Sequence, residues 1–262
     1  MVIDYCPRGD LSSELLKISQ FGEDVARFYV AELVLAIEYL HKKNIIYRDL
    51  KPENILIDVY GHMKLADFGL SKDGMGDNDK TKSFCGSPAY LSPEVLMSKN
   101  KNSKGYGKEA DLYGIGAVLY EFIVGSPPYF SPEIPELFKK IKEGKLEFPK
   151  GVTPEAKDLI KVHYKLNGCI LTINKKRLLD QNPETRIGAK NKDEIKTHPF
   201  FKGMDWDKLY RREYDPPMDE YELTEAMLKS DKSLNFEDVD YEEKNINHNR
   251  VPDYSFAKIA VD

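Results

Sequence analysis

Tyr47-Arg48-Asp49-Leu50-Lys51-Pro52-Glu53-Asn54 (YRDLKPEN) and, a short distance on, Asp67-Phe68-Gly69 (DFG) are the stretches on which the reading of this chain turns. Upstream, from Asp24 to Lys42, the apolar residues Val25, Phe28, Tyr29, Leu33, Ala36, Ile37 and Leu40 recur at spacings of three and four, which predicts one face of an amphipathic helix. Between the two stretches, Ile55 to Ile57 and Met63 to Leu65 flank the turn-like Val59-Tyr60-Gly61-His62 and predict a small hairpin. A DFG tripeptide alone is no evidence, and two aspartates and a lysine in loops can be mere turn formers and solvated charges. The weight lies in their order, spacing and context.

Working outward, residues 69 to 88 are rich in Gly, Asp, Lys and Ser without apolar periodicity, a loop too long for an ordinary connection. Helical patterns resume at Asp111 to Val124, Ile134 to Glu143 and Pro154 to Lys161, with Pro127 and Pro128 as a break. The greasy run Gly114 to Gly125 is too short for a bilayer and reads as a buried helix. From about Trp206 the chain turns acidic and weakly periodic, as a tail would, and there is no internal repeat.

Composition narrows the classes. With 262 residues, 41% of them apolar, the chain can bury one sizeable core. A net charge of −5 argues against a general nucleic-acid surface, and Lys99, Lys101, Lys104 and Lys108 read as a solvated loop. Cys6, Cys85 and Cys169 are scattered and odd in number, which points away from a disulfide framework or zinc site and towards an intracellular, cytoplasmic setting. The start of the chain, with Asp4 and no long apolar run, is unlike a secretory signal. A calcium loop over Asp73 to Asp79 lacks the glycine and terminal glutamate it would need.

In order and context, YRDLKPEN and DFG resemble the catalytic and metal-binding loops of protein kinases, and Tyr47, where most kinases carry His, resembles the AGC branch. The resemblance extends through Cys85 to Glu94 (CGSPAYLSPE), the end of an activation loop, Asp111 to Glu121 (DLYGIGAVLYE), Asn182 to Gly188 (NPETRIG) and His198 to Phe201 (HPFF). It implies a mainly α large lobe with a small β-hairpin beside the catalytic loop, divided as a hinge over 1–11, a lobe over 12–201 and an AGC-type tail over 202–262. It implies a monomeric serine/threonine kinase using ATP and Mg2+, without membrane insertion.

Phosphoryl transfer needs alignment and charge neutralisation more than covalent chemistry. By resemblance, Asp49 accepts the proton of the incoming hydroxyl, Lys51 neutralises the phosphoryl group in flight, and Asn54 and Asp67 offer the hard oxygens that suit magnesium. In the hinge, Asp4 and Cys6 offer backbone groups to adenine and Asp10 reaches the ribose. On the same resemblance, Leu56 would floor the adenine and Glu53 would line the nucleotide site. The resemblance makes Arg186 the expected partner of Glu94 in a buried ion pair. Ser83 stands at the activation phosphosite, where an upstream kinase would give Arg48 a bidentate partner, with Thr81 in reserve. Asp10, Glu53 and Glu121 sit where arginines upstream of a target residue bind, since the guanidinium fork matches two carboxylate oxygens. Phe84, Ser87, Pro88 and Leu91 form the pocket after the acceptor. Val251 to Phe256 (VPDYSF) resembles the AGC hydrophobic motif, with Ser255 as its phosphosite.

Two departures stand out. No glycine-rich loop, strand lysine or partnering helix glutamate precedes Met1, so half of a kinase nucleotide site is missing and the chain as written should transfer phosphate poorly. A small lobe is expected upstream; the rival is a catalytically silent module that docks peptides or another kinase. The second departure is Val162 to Lys176 (VHYKLNGCILTINKK). Excising it joins Lys161 to Arg177 and sets Leu178 and Leu179 four residues after Leu159 and Ile160, restoring helical spacing. A retained intron would produce this pattern. So would a genuine hairpin insertion turning at Asn167-Gly168.

Overall fold

The long amphipathic stripe forms helix α2, Glu23–Lys42, and its apolar face is what the rest of the lobe packs on. The computed structural model describes residues 5–160, 165–166, 169–170 and 176–217. Glu23 and Asp24 place negative charge on the first turn of α2, where the helix dipole favours it. Glu23 also accepts from the Thr153 amide and hydroxyl, both at 2.7 Å.

Against α2 lies α4, Glu109–Val124, whose Leu112, Ile115, Val118, Leu119 and Phe122 are all buried. A helix apolar on nearly every side can exist only when it is covered on every side. Around this pair stand α1 (Leu11–Ile18), α3 (Pro93–Met97), α5 (Ile134–Glu143) and α6 (Pro154–Ile160), then α7 (Asp193–Lys196) and α8 (Trp206–Tyr210). Strands β1 (Ile55–Ile57) and β2 (Met63–Leu65) pair antiparallel, Ile55 opposite Leu65 and Ile57 opposite Met63. Asp58 closes their turn by accepting from the amides of Tyr60 and His62, each at 3.0 Å. Among the described residues no helix is long and apolar enough to cross a membrane.

Several elements were not foreseen. Helix α1 is short, and its signal is the cap itself: Asp10 accepts from the Ser13 amide at 2.9 Å and the Ser13 hydroxyl at 3.0 Å. Helix α4 starts at Glu109, two residues earlier than its apolar pattern. Lys108 is not solvated. It is buried, with Nζ donating to Asn44 Oδ1 at 3.0 Å and Asp77 Oδ1 at 2.7 Å. The start of the tail is attached to the lobe, with Leu209 buried and Trp206 stacked edge-on against Phe201.

Residues 159–160 and 177–179 meet in an informative way. The Leu178 amide donates to the Leu159 carbonyl at 3.0 Å, and the Leu179 amide to the Ile160 carbonyl at 3.1 Å. These are the bonds of an α-helix that skips from Lys161 to Arg177. All four residues are fully buried, and a Cβ on Gly116 of α4 would come within 2.7 Å of Leu178 Cβ, so a glycine is what admits this chain so close to α4. Within the skipped segment, β3 (Lys165–Leu166) and β4 (Cys169–Ile170) pair antiparallel, Lys165 opposite Ile170 and Leu166 opposite Cys169. Asp4 and the VPDYSF segment with Ser255 lie outside the described residues.

Candidate active site

The catalytic stretch leaves α2 and is bent at once by Asp111, buried at the head of α4. Its Oδ2 pairs with His41 Nε2 at 2.7 Å and accepts from the Tyr47 amide at 2.9 Å, while Oδ1 accepts from the Arg48 amide at 2.8 Å. Arg48 is thereby held at φ 71°, a conformation that a side chain adopts only at a cost of about 1 to 3 kcal/mol. The bend delivers Asp49 to the floor of the site, where its carboxylate meets four donors. Oδ1 accepts from the Ser87 amide at 3.0 Å and the Ser87 hydroxyl at 2.8 Å; Oδ2 accepts from Asn54 Nδ2 at 3.1 Å and lies 3.4 Å from Lys51 Nζ.

Asn54 spends its amide hydrogens on Asp49, the second bond running to the Asp49 carbonyl at 2.9 Å. That geometry fixes which end of the amide is nitrogen and leaves Oδ1 as the free end. The Ala66 amide donates to the Asn54 carbonyl at 2.9 Å, so Asp67 follows directly beside Asn54. Asp67 is exposed, also in the left-handed region at φ 52°, and Oδ1 accepts from the Gly69 amide at 3.0 Å. The Tyr47 hydroxyl donates to the Ala66 carbonyl, tying the two loops together, and its ring meets Phe68 edge-on at 5.4 Å. Burial, with Asp49, Asp67 and Asp111 all nearby, holds the Tyr47 phenol far above the usual tyrosine range.

Among the described residues no three His, Cys, Asp or Glu side chains converge as a metal cage. Magnesium does not require one. It is commonly held by one or two protein oxygens plus water and substrate phosphates, and an amide oxygen beside an exposed carboxylate fits that pattern.

Residues 81–91 form the opposite wall. Gly86 sits at φ +111°, and a Cβ there would come within 2.7 Å of the Arg48 carbonyl, so glycine lets the two loops touch. Phe84 packs edge-on against Phe138 of α5, Pro88 opens a short 3-10 turn and Leu91 is buried. The Tyr90 hydroxyl donates to Glu121 Oε2 at 2.6 Å. Burial pushes the Glu121 carboxyl up to about 7, against the Tyr90 bond and with Glu53 adding to the rise. Glu53 is exposed.

Ser83 is exposed, near Thr81, whose Oγ1 accepts from Lys72 Nζ at 3.2 Å. Arg48 Nε donates to the Leu70 carbonyl at 2.6 Å, while its buried Nη1 has no hydrogen-bond partner. Glu94 and Arg186 form a two-bonded ion pair, Nη1 to Oε1 at 2.6 Å and Nη2 to Oε2 at 3.0 Å; Arg186 also donates to the carbonyls of Glu109 and Asp180 and lies 5.1 Å from the Tyr113 ring. Residues 9 and 10 run beside β1, the Gly9 carbonyl accepting from the Ile57 amide at 2.9 Å and Asp10 bridging to Leu56. The Asp10 carboxylate caps α1, and Cys6 is partly buried.

The structure thus brings Asp49, Lys51, Asn54 and Ser87 into direct contact, sets Asp67 beside them, and joins Glu94 to Arg186. It leaves Asp10 turned to its own helix. Sequence reasoning missed Asp111 and His41, Lys72 and Tyr90. For Asp111 a signal existed, an acid heading an otherwise apolar helix, but nothing in the sequence announces which backbone amides it will meet.

The protein kinase domain family matches residues 1–201. The chain is 44% identical over 217 residues to serine/threonine-protein kinase YPK2/YKR2 of Saccharomyces cerevisiae, covering 83% of this chain and 29% of that protein. It is 41% identical to a RAC family serine/threonine-protein kinase homolog of Dictyostelium discoideum, over 82% of this chain and 44% of the relative. It is 39% identical to ribosomal protein S6 kinase beta of Caenorhabditis elegans, over 83% of this chain and 36% of the relative. The chain therefore spans less than half the length of these relatives. With its two loops, its buried Glu94–Arg186 pair and these matches, the chain belongs to the protein kinase family, among kinases of the AGC serine/threonine type.

Proposed function

We propose that this chain is the large lobe of an ATP-dependent kinase that phosphorylates serine or threonine in basic protein segments. The observation that carries it is the Asp49 carboxylate, reached at once by Lys51, Asn54 and the Ser87 hydroxyl. A substrate hydroxyl replacing Ser87 at Oδ1 would donate to Asp49, which takes its proton as the new oxygen–phosphorus bond forms and the bond to the departing diphosphate breaks. Lys51, 3.4 Å from Oδ2, would carry positive charge towards the moving group. Asn54 Oδ1 and Asp67 would hold Mg2+, which supplies charge neutralisation at the ATP phosphates. Leu56, Glu53, Asp10, Cys6 and Asp4 would line the nucleotide side.

Glu121 and Glu53, with Asp10, would receive arginines preceding the acceptor, and Phe84, Pro88 and Leu91 the residue after it. Ser83 would be phosphorylated by an upstream kinase; the unpartnered Arg48 Nη1 and the nearby Lys72 support that reading, because a phosphate there would satisfy both. The Glu94–Arg186 pair would anchor this wall, and Ser255 would be a second phosphosite. An intracellular, monomeric protein is part of the proposal; Cys6 and Cys85 form no disulfide.

The test joins the chain to a kinase small lobe and measures phosphate transfer from Mg-ATP to an arginine-rich peptide. Asp49→Asn should lower the rate by roughly 10²- to 10⁴-fold. Peptide binding without transfer in the joined protein would replace the enzyme by a docking module.

A further inference from the structure

The loop between α3 and α4 carries Lys99, Lys101 and Lys104, all exposed, and Lys82 is exposed on the facing activation segment. Among the described residues none of the four lysines forms an ion pair. Lys80 and Lys108, close by in the sequence, are by contrast paired with Glu109 and Asp77.

The position of the loop is fixed at both ends. Lys99 Nζ lies 4.1 Å from the centroid of the Phe84 ring, so the ammonium stands over a side chain that the docking reading gives to the residue after the acceptor. At the other end Gly105 is pressed on the Thr81 carbonyl so closely that a Cβ would come within 2.6 Å, and Tyr106 exchanges backbone bonds with Thr81 at 2.8 and 2.9 Å. The Tyr106 hydroxyl donates to the Ser83 carbonyl at 2.6 Å. The loop therefore runs alongside residues 81–84; in the docking reading above, its lysines would front the path of a peptide beyond the Phe84 pocket.

We propose that this lysine rim selects substrates with acidic residues two or more positions after the acceptor. The inference rests on the docking reading above: arginines enter towards Glu121 and Glu53, an apolar residue follows the acceptor into the Phe84 pocket, and carboxylates then meet Lys99 and the lysines beyond it. Lys99 is held over Phe84 by cation–π attraction, which fixes the charge at the pocket mouth without neutralising it. The two sides of the cleft thus ask for opposite charges, so the rim sets the direction in which a peptide lies as well as its sequence.

Fluorescent peptides binding to the unmodified chain test this. Each carries arginines before a serine and a leucine after it, followed by either two glutamates or two lysines. The glutamate peptide should bind about three- to tenfold tighter at low salt, and the difference should collapse near 1 M salt, as exposed pairs do. Charge reversal at all three loop positions, Lys99→Glu, Lys101→Glu and Lys104→Glu, should invert the order. Because Lys99 also covers Phe84, the pair Lys101→Glu/Lys104→Glu, which removes no described contact, should narrow the ratio with the pocket intact. Equal affinity of the two peptides, or a ratio unmoved by the triple change, overturns the proposal. Replacing the arginines by alanine separates the two readings: if affinity does not fall, the basic-substrate reading fails while the acidic preference stands or falls by the glutamate–lysine ratio alone.

Discussion

Deleting residues 162–176 should stabilise the lobe. The helix bonds from Leu178 to Leu159 and from Leu179 to Ile160, at 3.0 and 3.1 Å, already have the register of a chain in which Lys161 is followed by Arg177. These two bonds carry over unchanged on excision. What disappears is the entropy spent on closing a loop of about 15 residues, which scales as 3/2 RT ln n and amounts to about 2.4 kcal/mol. The β3–β4 pair is two residues long on each side, and an isolated ribbon of that size is marginal, so it offsets little of this. For a domain of this size the gain corresponds to an increase of about 5 to 10 °C in melting temperature. The assay is thermal unfolding followed by far-UV circular dichroism, on the chain with and without the segment. Leu179→Ala, which empties a fully buried position against α4, is the control: it should cost about 2 to 5 kcal/mol in both backgrounds. A deletion variant that melts lower, or loses helical signal, would show that the segment holds Leu178 and Leu179 in place and would refute the reasoning.

Glu121, lifted to about 7 by burial, makes arginine-peptide binding depend on pH: affinity should rise between pH 6 and 8 as the carboxyl ionises, and Glu121→Gln should flatten the profile in anisotropy titrations. The same shift has the opposite sign for stability, since a carboxyl raised on folding stabilises fully below its unfolded value and loses that contribution as pH climbs towards 7. Arg186→Ala leaves the buried Glu94 carboxylate without its partner and should cost about 3 to 5 kcal/mol in denaturant unfolding. Asp111→Asn removes the charge that His41, Tyr47 and Arg48 share; it should destabilise by about 3 kcal/mol, read in the same unfolding experiment, and free the strained bend at Arg48.

What the sequence determined by itself is whatever one element's own pattern encodes. The stripe from Val25 to Leu40 is a helix because its spacing leaves no other way to bury those residues together, and Ile55–Ile57 and Met63–Leu65 pair because a turn joins them. YRDLKPEN and DFG pointed to the proposed chemistry in residue types and order, and the skip from Lys161 to Arg177 was legible as a helical period. Tertiary structure alone decided which distant groups meet. Asp111 reaches back 64 residues to the Tyr47 amide, Tyr90 reaches Glu121 and lets burial lift its carboxyl, and Lys108 is drawn inside by Asn44 and Asp77 while Lys99 stays out over Phe84. The reason is physical. Periodicity is a property of neighbours along the chain, whereas desolvation and hydrogen bonding are set by groups that become neighbours only when α2, α4 and the activation segment close on one another.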